Sequence, residues 1–238
     1  MDNIKKLKIY LGISYVILIS IFLYFFFSKF SLQELSSYNF IKNNINYFSD
    51  LKNKNYFLLL AIFFLFVIFW VLLLGFGSPV ALASGFIFGK WIGTIVITIS
   101  LSIGSLILYL ITIFFFKDLI HQKLENKMVF LKELFKKNEF LYFLVYRFIG
   151  GIPFFIANTL PVIFNVKIKN YFFGTLIGMI PQLFIMVSIG SGLEKIFDTN
   201  NNPPSFFEIL LSKDIYLPLI AFLFIIIISF FLKKKLYR

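Results

Sequence analysis

Arg147 and Asn158 are the side chains in this sequence whose chemistry fits their surroundings least. Both lie within residues 143–192, a stretch that is almost entirely apolar but also holds three prolines and several glycines. A charged side chain inside an apolar span is costly, and it usually faces an interior path or a partner. Arg147 could offset the charge of a phosphate, and Asn158 could replace water around it. The alternative for both is structural, since each could instead bind backbone carbonyls and hold the shape of a turn.

Two prolines, Pro153 and Pro161, interrupt the same stretch. A proline removes a backbone donor and disturbs the preceding helical turn, so residues 143–192 do not form one ordinary membrane-crossing helix. Non-helical backbone survives in hydrocarbon only where it is buried in protein or lines a wet cavity. We therefore predict a re-entrant hairpin at residues 141–166, followed by a spanning helix at 171–189.

A second broken stretch lies earlier in the chain, at residues 75–94. Pro79 is expected to break the helix there, and small residues then recur at every fourth position. Such a ladder lets helix backbones approach closely inside a membrane. We predict a first re-entrant loop near residues 76–93, with simple helix packing as the alternative. The small residues are Ala81, Gly85, Gly89 and Gly93.

The composition is that of a membrane protein with several spans. Of the 238 residues, 60% are hydrophobic and 14% are charged, and the mean hydropathy is +0.91. A soluble domain is about half apolar and about a quarter charged. The formal net charge of +12 comes from bases in loops and tails beside apolar spans, where they anchor a protein to anionic lipid. We therefore expect anionic membrane lipids as partners and no nucleic acid.

The chain offers little that an enzyme needs. It has no cysteine and a single histidine, His121, which excludes disulfides and thiol chemistry and argues against a metal site. No paired carboxylates and no nucleophile–base set lie close together in the sequence. We expect no enzymatic activity, no cofactor and no bound metal.

Five apolar runs are long enough to cross a membrane, so we predict an all-α polytopic protein. A signal peptide is the alternative for the first run, but no small-residue cleavage site follows it. The expected organisation is an N-terminal helix with a polar connector (1–55), a membrane core (56–192), and a polar loop with the last span and a basic tail (193–238). The five runs are residues 9–27, 56–75, 95–116, 171–189 and 215–232.

Three polar segments join these runs: a connector at residues 28–55, an amphipathic surface helix at 117–139 and a loop at 190–214. Basic residues concentrate in cytoplasmic loops, so we expect the amphipathic helix and the C-terminal tail inside and the last loop outside. The two hairpins then enter from opposite sides, an inverted-repeat plan that recurs in transporters. Five full spans would place the two basic ends on opposite sides, and this conflict stays open.

Two blocks of the core carry a family resemblance. In the first block, Pro79 precedes the run SGFIFGKWIG at residues 84–93. In the second, an arginine, a proline and an asparagine precede a helix marked by glycines and a proline. Their order and composition resemble the DedA/VTT-domain family, also called SNARE-associated Golgi proteins, and its branch related to yeast Tvp proteins, over residues 74–192. The second block consists of Arg147, Pro153, Asn158, Phe173, Gly174, Thr175, Gly178, Pro181 and Gly190.

The resemblance implies a polytopic membrane protein with two re-entrant loops that face each other. Members of the family are linked to moving phospholipids, or the polyprenyl-phosphate carrier, between leaflets, and some bacterial members to proton-dependent homeostasis. Arg147 matches the family arginine, so the resemblance implies that it meets a lipid phosphate. The chain departs from the family in having no acidic residue between Asp50 and Asp118, which argues against proton coupling through a carboxylate. Gly150 and Gly151 stand where a further proline is common.

Lipid translocation is therefore the leading functional hypothesis, with Arg147 and Asn158 binding the substrate. A secondary transporter of a small solute or ion and a non-catalytic assembly factor share the architecture and are the alternatives. We expect a bacterial inner membrane as the location, and a homo-oligomer stays open. The residues expected to shape the hairpins are Pro79, Gly85, Gly89, Gly93, Pro153, Pro161, Gly174, Gly178 and Pro181.

Overall fold

The computed structural model describes residues 38–124, 129–149, 152–199 and 205–236, together with single residues between 10 and 24. Within these ranges the chain is helical apart from short connections and contains no strand, which confirms the predicted all-α fold. The elements are α1 (Tyr38–Leu72), α2 (Gly77–Leu124), α3 (Val129–Lys137), α4 (Glu139–Ile149), α5 (Phe154–Thr159), a 3-10 helix (Leu160–Phe164), α6 (Ile168–Gly178), α7 (Ile180–Thr199), α8 (Phe206–Leu211) and α9 (Lys213–Leu236).

Four helices in the described part of the chain are long and apolar enough to cross a membrane. Large apolar side chains cover their outer surfaces, and Phe57, for example, is 82% exposed. Exposed apolar patches of this extent suit lipid and not water, so the chain is an integral membrane protein. The span predicted at residues 9–27 lies outside the continuous described ranges. The four candidate spans are Asp50–Leu72, Gly77–Asp118, Ile180–Asp198 and Lys213–Leu232.

α1 begins well before the apolar run predicted at residues 56–75. Asn55 has non-helical backbone angles (φ −156°, ψ 80°), and its Oδ1 accepts a hydrogen bond from the N–H of Leu58 at 3.2 Å. Asparagine suits this position because its side chain satisfies a backbone N–H that has no partner within the helix. The connector predicted at residues 28–55 is helical from Tyr38 onward, and its polar helix joins the apolar one at a capped kink.

α2 consists of two arms that turn back on each other at Gly89. This glycine has φ +75° and ψ 174°, a combination open almost only to glycine. The hydroxyl of Ser84 donates to the carbonyl of Gly93 at 2.8 Å, so the two arms lie side by side next to the turn. We call residues 77–88 the first arm and residues 90–124 the second arm.

The helix break predicted at Pro79 lies just before it, since α1 ends at Leu72 and α2 begins at Gly77. Pro79 lies in the first turn of α2, where a backbone N–H has no helical acceptor, so the missing donor of proline does no harm. A further change of direction, which the sequence did not predict, follows ten residues later at Gly89, where the backbone angles are closed to other residues.

α4 and the chain that follows it form the second hairpin. α5 and the 3-10 helix run back beside α4, and the Tyr146 hydroxyl donates to the Ala157 carbonyl across the hairpin at 3.3 Å. The return ends at Asn165, which has a left-handed backbone (φ 50°, ψ 44°). Asparagine tolerates this conformation better than most residues with a side chain.

Glu139 ties the base of the second hairpin together. Its Oε1 accepts hydrogen bonds from the backbone N–H of Lys167 and from the side-chain amide of Asn170, both at 2.7 Å. One carboxylate thus joins the start of α4 to the start of α6. Hydrogen bonds to a charged group are stronger than those between neutral groups.

The single spanning helix predicted at residues 171–189 is wrong. α6 ends at Gly178 and α7 begins at Ile180. Pro181 explains the break, because it has no N–H to donate and its ring crowds the carbonyl four residues before it. The apolar candidate span in this part of the chain is Ile180–Asp198.

The amphipathic helix predicted at residues 117–139 is not one element. α2 continues to Leu124, and the short helix α3 ends at Lys137. Asn138 separates α3 from α4, because its Oδ1 accepts from the N–H of Leu141 at 3.1 Å and so caps the next helix.

The loop predicted at residues 190–214 is also partly helical. α7 continues to Thr199, and α8 begins after Ser205. Ser205 and Glu208 form a capping box, in which each side chain accepts a hydrogen bond from the backbone N–H of the other. Local caps thus extend helices into sequence that is polar enough to look like a loop.

The first hairpin consists of the apolar part of α1 and the first arm of α2, joined at residues 73–76. The two hairpins approach from opposite ends of the helix bundle. At one end, the ring of Phe88, beside the turn at Gly89, contacts the ring of Tyr56 near the kink of α1, with centroids 6.1 Å apart. At the other end, the Tyr109 hydroxyl donates to the carbonyl of Val166 at the base of the second hairpin, at 2.6 Å. The second arm of α2 therefore runs from the base of one hairpin to the base of the other.

The tips of the two hairpins meet between these ends. A Cβ on Gly77, at the first tip, would lie 3.6 Å from the ring of Phe154, at the second. α7 completes the packing by touching the first arm backbone to backbone, since a Cβ on Gly85 would overlap the Val187 carbonyl and one on Gly190 would overlap that of Leu82.

Candidate functional site

Arg147 is buried at the centre of a polar network inside the second hairpin. The residue is 4% exposed. Its Nη1 donates to Oδ1 of Asn158 at 2.8 Å, and its Nη2 donates to the hydroxyl of Tyr171 at 2.7 Å. The Tyr171 hydroxyl in turn donates to the backbone carbonyl of Asn158 at 3.0 Å. The structure therefore brings together the two residues that the sequence marks for binding.

Aromatic rings enclose the guanidinium. Its Cζ lies 5.2 Å from the centre of the Phe143 ring and 5.0 Å from that of Tyr171. Tyr109 stacks on Tyr171 with centroids 4.2 Å apart. A cation over an aromatic face is attracted by the ring quadrupole, so the rings hold the charge in place without neutralising it.

The charge of Arg147 has no carboxylate partner among the described residues. A guanidinium has five N–H donors, and the network engages two of them. Nε of Arg147 and Nδ2 of Asn158 are both buried without a hydrogen-bond partner in this part of the chain. A buried cation with spare donors is suited to an anion, because a phosphate oxygen would satisfy both the charge and the donors.

Two residues on neighbouring helices fix the backbone that carries Arg147. Gly178 of α6 lies so close that a Cβ on it would be 2.7 Å from Cβ of Arg147. Gln182 of α7 donates its side-chain N–H to the carbonyl of Phe148 and lies 3.5 Å from that of Arg147. Carbonyls at the end of a helix have no partner within it, so Gln182 caps α4.

A cavity of about 320 Å³ lies beside this network, where the tips of the two hairpins meet. Its volume is at the lower end of the range for small-molecule sites. None of its described lining residues is acidic, so Arg147 leaves it electropositive. The lining comes from the first hairpin (Phe76, Gly77, Ser78), the second (Tyr146, Arg147, Ile152, Pro153, Phe154, Ala157), the α6–α7 segment (Met179, Gln182, Leu183, Met186) and α9 (Phe222).

The residues expected to shape the hairpins have distinct positions. Pro153 precedes α5 and lines the cavity, and Pro161 is buried in the first turn of the 3-10 helix. Gly174 packs against Phe143, with 2.6 Å between a Cβ there and the ring. Gly89 faces open space, with nothing within 4 Å of a Cβ, so it serves the turn and not the predicted packing ladder.

Sequence reasoning missed Tyr109, Tyr171 and Gln182. Gln182 could have been predicted, because an amide side chain directly after a proline in an apolar span needs a hydrogen-bond partner. The two tyrosines carried none, since the chain holds 12 tyrosines and 36 phenylalanines and nothing local separates these two from the others.

Comparison with known proteins agrees with this architecture. The family model described as the VTT domain matches residues 75–192, which include both hairpin tips and Arg147. No solved structure matches the chain at a significant level.

Two curated proteins similar to the chain are each named transmembrane protein 41 homolog. The one from Caenorhabditis elegans is 24% identical over 141 residues, and the one from Dictyostelium discoideum is 26% identical over 168. The alignments cover 56% and 68% of this chain, and 57% and 48% of those proteins. The chain therefore spans about half the length of the curated relatives it matches. With the VTT domain matched across its core, the chain belongs to the DedA/VTT-domain family of membrane proteins.

Proposed function

We propose that this protein moves lipid between the two leaflets of its membrane, with the headgroup phosphate binding at Arg147. The observation that carries the proposal is a buried cation with spare donors and no described carboxylate partner, at a cavity shared by two hairpin tips. The step needs no bond to be broken, so the protein acts without enzymatic chemistry or a cofactor. We propose an anionic phospholipid or a polyprenyl phosphate as substrate and a bacterial inner membrane as the setting.

The position of the tips along α2 supports a site inside the membrane. A Cβ on Gly77 would lie 3.7 Å from the side chain of Leu101. At 1.5 Å per residue, Leu101 is about 17 Å along the second arm from Lys90 and about 26 Å from Asp118. Since hydrocarbon is about 30 Å thick, we propose that both hairpins are re-entrant and that Asp50–Leu72 is one arm of the first.

This assignment removes the conflict over the two basic ends. If Asp50–Leu72 turns back, the crossing elements are the predicted span at residues 9–27, the second arm of α2, α6 with α7, and α9. Four crossings place both ends on one side. The basic tail and the base of the second hairpin, with Lys167 and Lys169, then share the cytoplasmic side that positive charge favours.

A headgroup is held back mainly by the free energy of taking its charge out of water. The cavity lies between the tips, so hydrocarbon separates it from each surface by only part of the full thickness. Arg147 lines the cavity and offsets the phosphate charge there, while Asn158, which is buried and not part of the cavity lining, orients the Arg147 guanidinium. The lipid tails stay in the bilayer beside the protein throughout.

Lipid movement is tested with purified protein in liposomes that contain fluorescent phospholipid, quenched from outside only. With wild type we expect the quencher to remove more of the fluorescence than the outer leaflet contributes, because lipids from the inner leaflet reach the outside. With Arg147→Ala we expect only the outer-leaflet fluorescence to be lost. Arg147→Lys keeps the charge but loses the fork that binds phosphate through two donors, so we expect an intermediate rate. Lys54→Gln removes an exposed charge far from the cavity and is the control.

Folding of each variant is checked by its elution in detergent, because loss of a buried network can unfold a protein. Movement by a well-folded Arg147→Ala at the wild-type rate would remove Arg147 from the proposal. A wild type that moves neither phospholipid nor a polyprenyl phosphate would overturn lipid movement and leave the assembly-factor alternative. A solute transporter is the weaker alternative, because the described cavity lining has no carboxylate to couple transport to an ion.

A further inference from the structure

A second cavity, of about 280 Å³, lies between α7 and α9. It is separate from the Arg147 cavity and shares no lining residue with it. Its lining is Lys90 beside the turn of α2, Phe184, Ile185, Ser188 and Ser191 of α7, and Lys213, Asp214, Leu217, Pro218 and Ala221 of α9.

The two cavities follow each other along the same pair of helices. On α7, the Arg147 cavity is lined up to Met186, and the second cavity is lined from Phe184 to Ser191. On α9, Phe222 lines the first cavity and the residue before it, Ala221, lines the second. The seam between α7 and α9 from the Arg147 cavity to the second cavity, towards the base of the first hairpin, is called the α7–α9 groove.

The second cavity is positively charged. Lys90 and Lys213 have no carboxylate partner in the part of the chain that the structure describes. The carboxylate in the lining, Asp214, is held by Lys195 at 3.0 Å. Two lysines facing a cavity at the end of an apolar span match the charge of an anionic headgroup, in this case one in the leaflet at the base of the first hairpin.

α9 is the wall of this groove with the least buried surface. Only 11% of its spanning window is buried inside the protein, the smallest share among the four candidate spans. Pro218 lies within the helix and lines the second cavity. A proline removes one hydrogen bond of a helix and is the usual place for it to bend, so a bend of α9 at this level would widen the groove.

We propose that the second cavity is a binding site for the headgroup of an anionic lipid, and that the headgroup passes along the α7–α9 groove between this site and Arg147. The binding site stands on its own cavity and charges. The path rests on the proposed function, since it needs lipid to reach Arg147.

Binding is tested through Trp91, whose ring lies 5.4 Å from that of Phe184 in the cavity lining, in a Trp70→Phe background, because Trp70 is the other tryptophan of the chain. The protein is placed in phosphatidylcholine vesicles that contain either brominated phosphatidylglycerol or brominated phosphatidylcholine, and the quenching of tryptophan fluorescence is compared. We expect stronger quenching by the anionic lipid. In Lys90→Gln/Lys213→Gln we expect the association of phosphatidylglycerol, relative to that of phosphatidylcholine, to fall about fivefold for each lysine removed. A factor of about five corresponds to about 1 kcal/mol per basic residue at a membrane surface.

The matched control is Lys54→Gln/Lys136→Gln, which removes two exposed charges outside the cavity and should leave the preference unchanged. Equal quenching by both lipids in wild type, or an unchanged preference in Lys90→Gln/Lys213→Gln, would overturn the binding site whether or not the protein moves lipid. Loss of the preference in inorganic phosphate, but not in sodium chloride of equal ionic strength, would assign the cavity to a free anion and overturn the lipid.

The path is tested with single cysteines, because the natural chain has none. Ala221→Cys lines the second cavity, whereas Leu223→Cys is exposed on α9 and lines neither cavity. A bulky thiol reagent that forms a disulfide should slow lipid movement several-fold at position 221 and not at 223, and a reductant should restore it. Full labelling of Ala221→Cys without slowing would overturn the path while lipid movement stands. A wild type that moves no lipid would overturn the proposed function and the path together. The comparison of tryptophan quenching by the two brominated lipids would still show whether the second cavity binds an anionic lipid.

Discussion

Tyr171 shows how a charge is kept inside an apolar protein. The residue is fully buried, and its hydroxyl accepts from Arg147 while it donates to the carbonyl of Asn158. Each polar atom that it satisfies would otherwise be unpaired in a medium where that is expensive. The network holds two N–H groups of Arg147 and leaves Nε unpaired, so it sets the direction of the guanidinium without using all its donors.

We expect Tyr171→Phe to lower the stability of the protein by about 1–3 kcal/mol, because it leaves a buried charged donor and a buried carbonyl without partners. Thermal unfolding in detergent measures this. Tyr56→Phe is the matched control: its hydroxyl is buried without a partner in the described part of the chain, so its removal should be neutral or stabilising. Equal losses in the two variants would contradict a role for the Tyr171 hydroxyl.

α2 shows how much one residue decides at the scale of an element. Both arms are largely apolar, yet the first arm and the second arm have different neighbours. The first arm packs against α7 through Gly85, and the second arm carries Tyr109 to the base of the second hairpin. Gly89 alone separates the two parts, through a backbone conformation that a side chain would strain.

We expect Gly89→Ala to destabilise the protein by about 1–3 kcal/mol through backbone strain, although a Cβ there meets nothing within 4 Å. Gly77→Ala is the control, because a Cβ at this position makes ordinary contacts at 3.6 Å and longer and the backbone is helical. Unfolding in detergent compares the two. If Gly89→Ala is as stable as wild type, the turn does not depend on the glycine.

At the scale of the whole molecule, the two hairpins enter from opposite ends and their tips share one cavity. Residues far apart in the chain are thereby brought to the same depth, such as Gly77 and Phe154. The depth of the tips distinguishes a re-entrant arm from a full crossing.

Single cysteines report that depth through labelling with a membrane-impermeant thiol reagent from either side. We expect Asp50→Cys and Glu208→Cys to label from one side and Lys167→Cys from the other. Ser78→Cys, at the first tip, should label slowly or not at all, because the proposed re-entrant arrangement puts it inside the membrane. Rapid labelling of Ser78→Cys from the side of Lys167→Cys would show that Asp50–Leu72 crosses fully.

Features that depend on one residue and its immediate setting could be predicted from the sequence. Arg147 and the prolines stand out because charge and missing donors conflict with an apolar run wherever they occur. The membrane class and the all-α fold follow from composition in the same way. Helix ends were predicted less well, because they depend on caps such as Asn55 and Asn138 that look like ordinary loop residues.

Features that depend on pairing could not be predicted. Tyr109 and Val166 are hydrogen-bonded although they are 57 positions apart in the sequence, and no local sequence pattern predicts such a pair. The turn at Gly89 was likewise missed, because proline marks a break in any context whereas a glycine marks one only when its backbone angles are known.

The contact between Gly85 and the carbonyl of Val187 also has a consequence for biosynthesis. The residue that fills the space beside Gly85 is made about a hundred residues later, which at 5–20 residues per second is a delay of about 5–20 seconds. During that time the first hairpin is complete in sequence but has no α7 to pack against, and its bare glycine face is turned to whatever surrounds the nascent chain. Until α7 emerges, the glycine face of this hairpin therefore packs against lipid or another protein in place of its native neighbour.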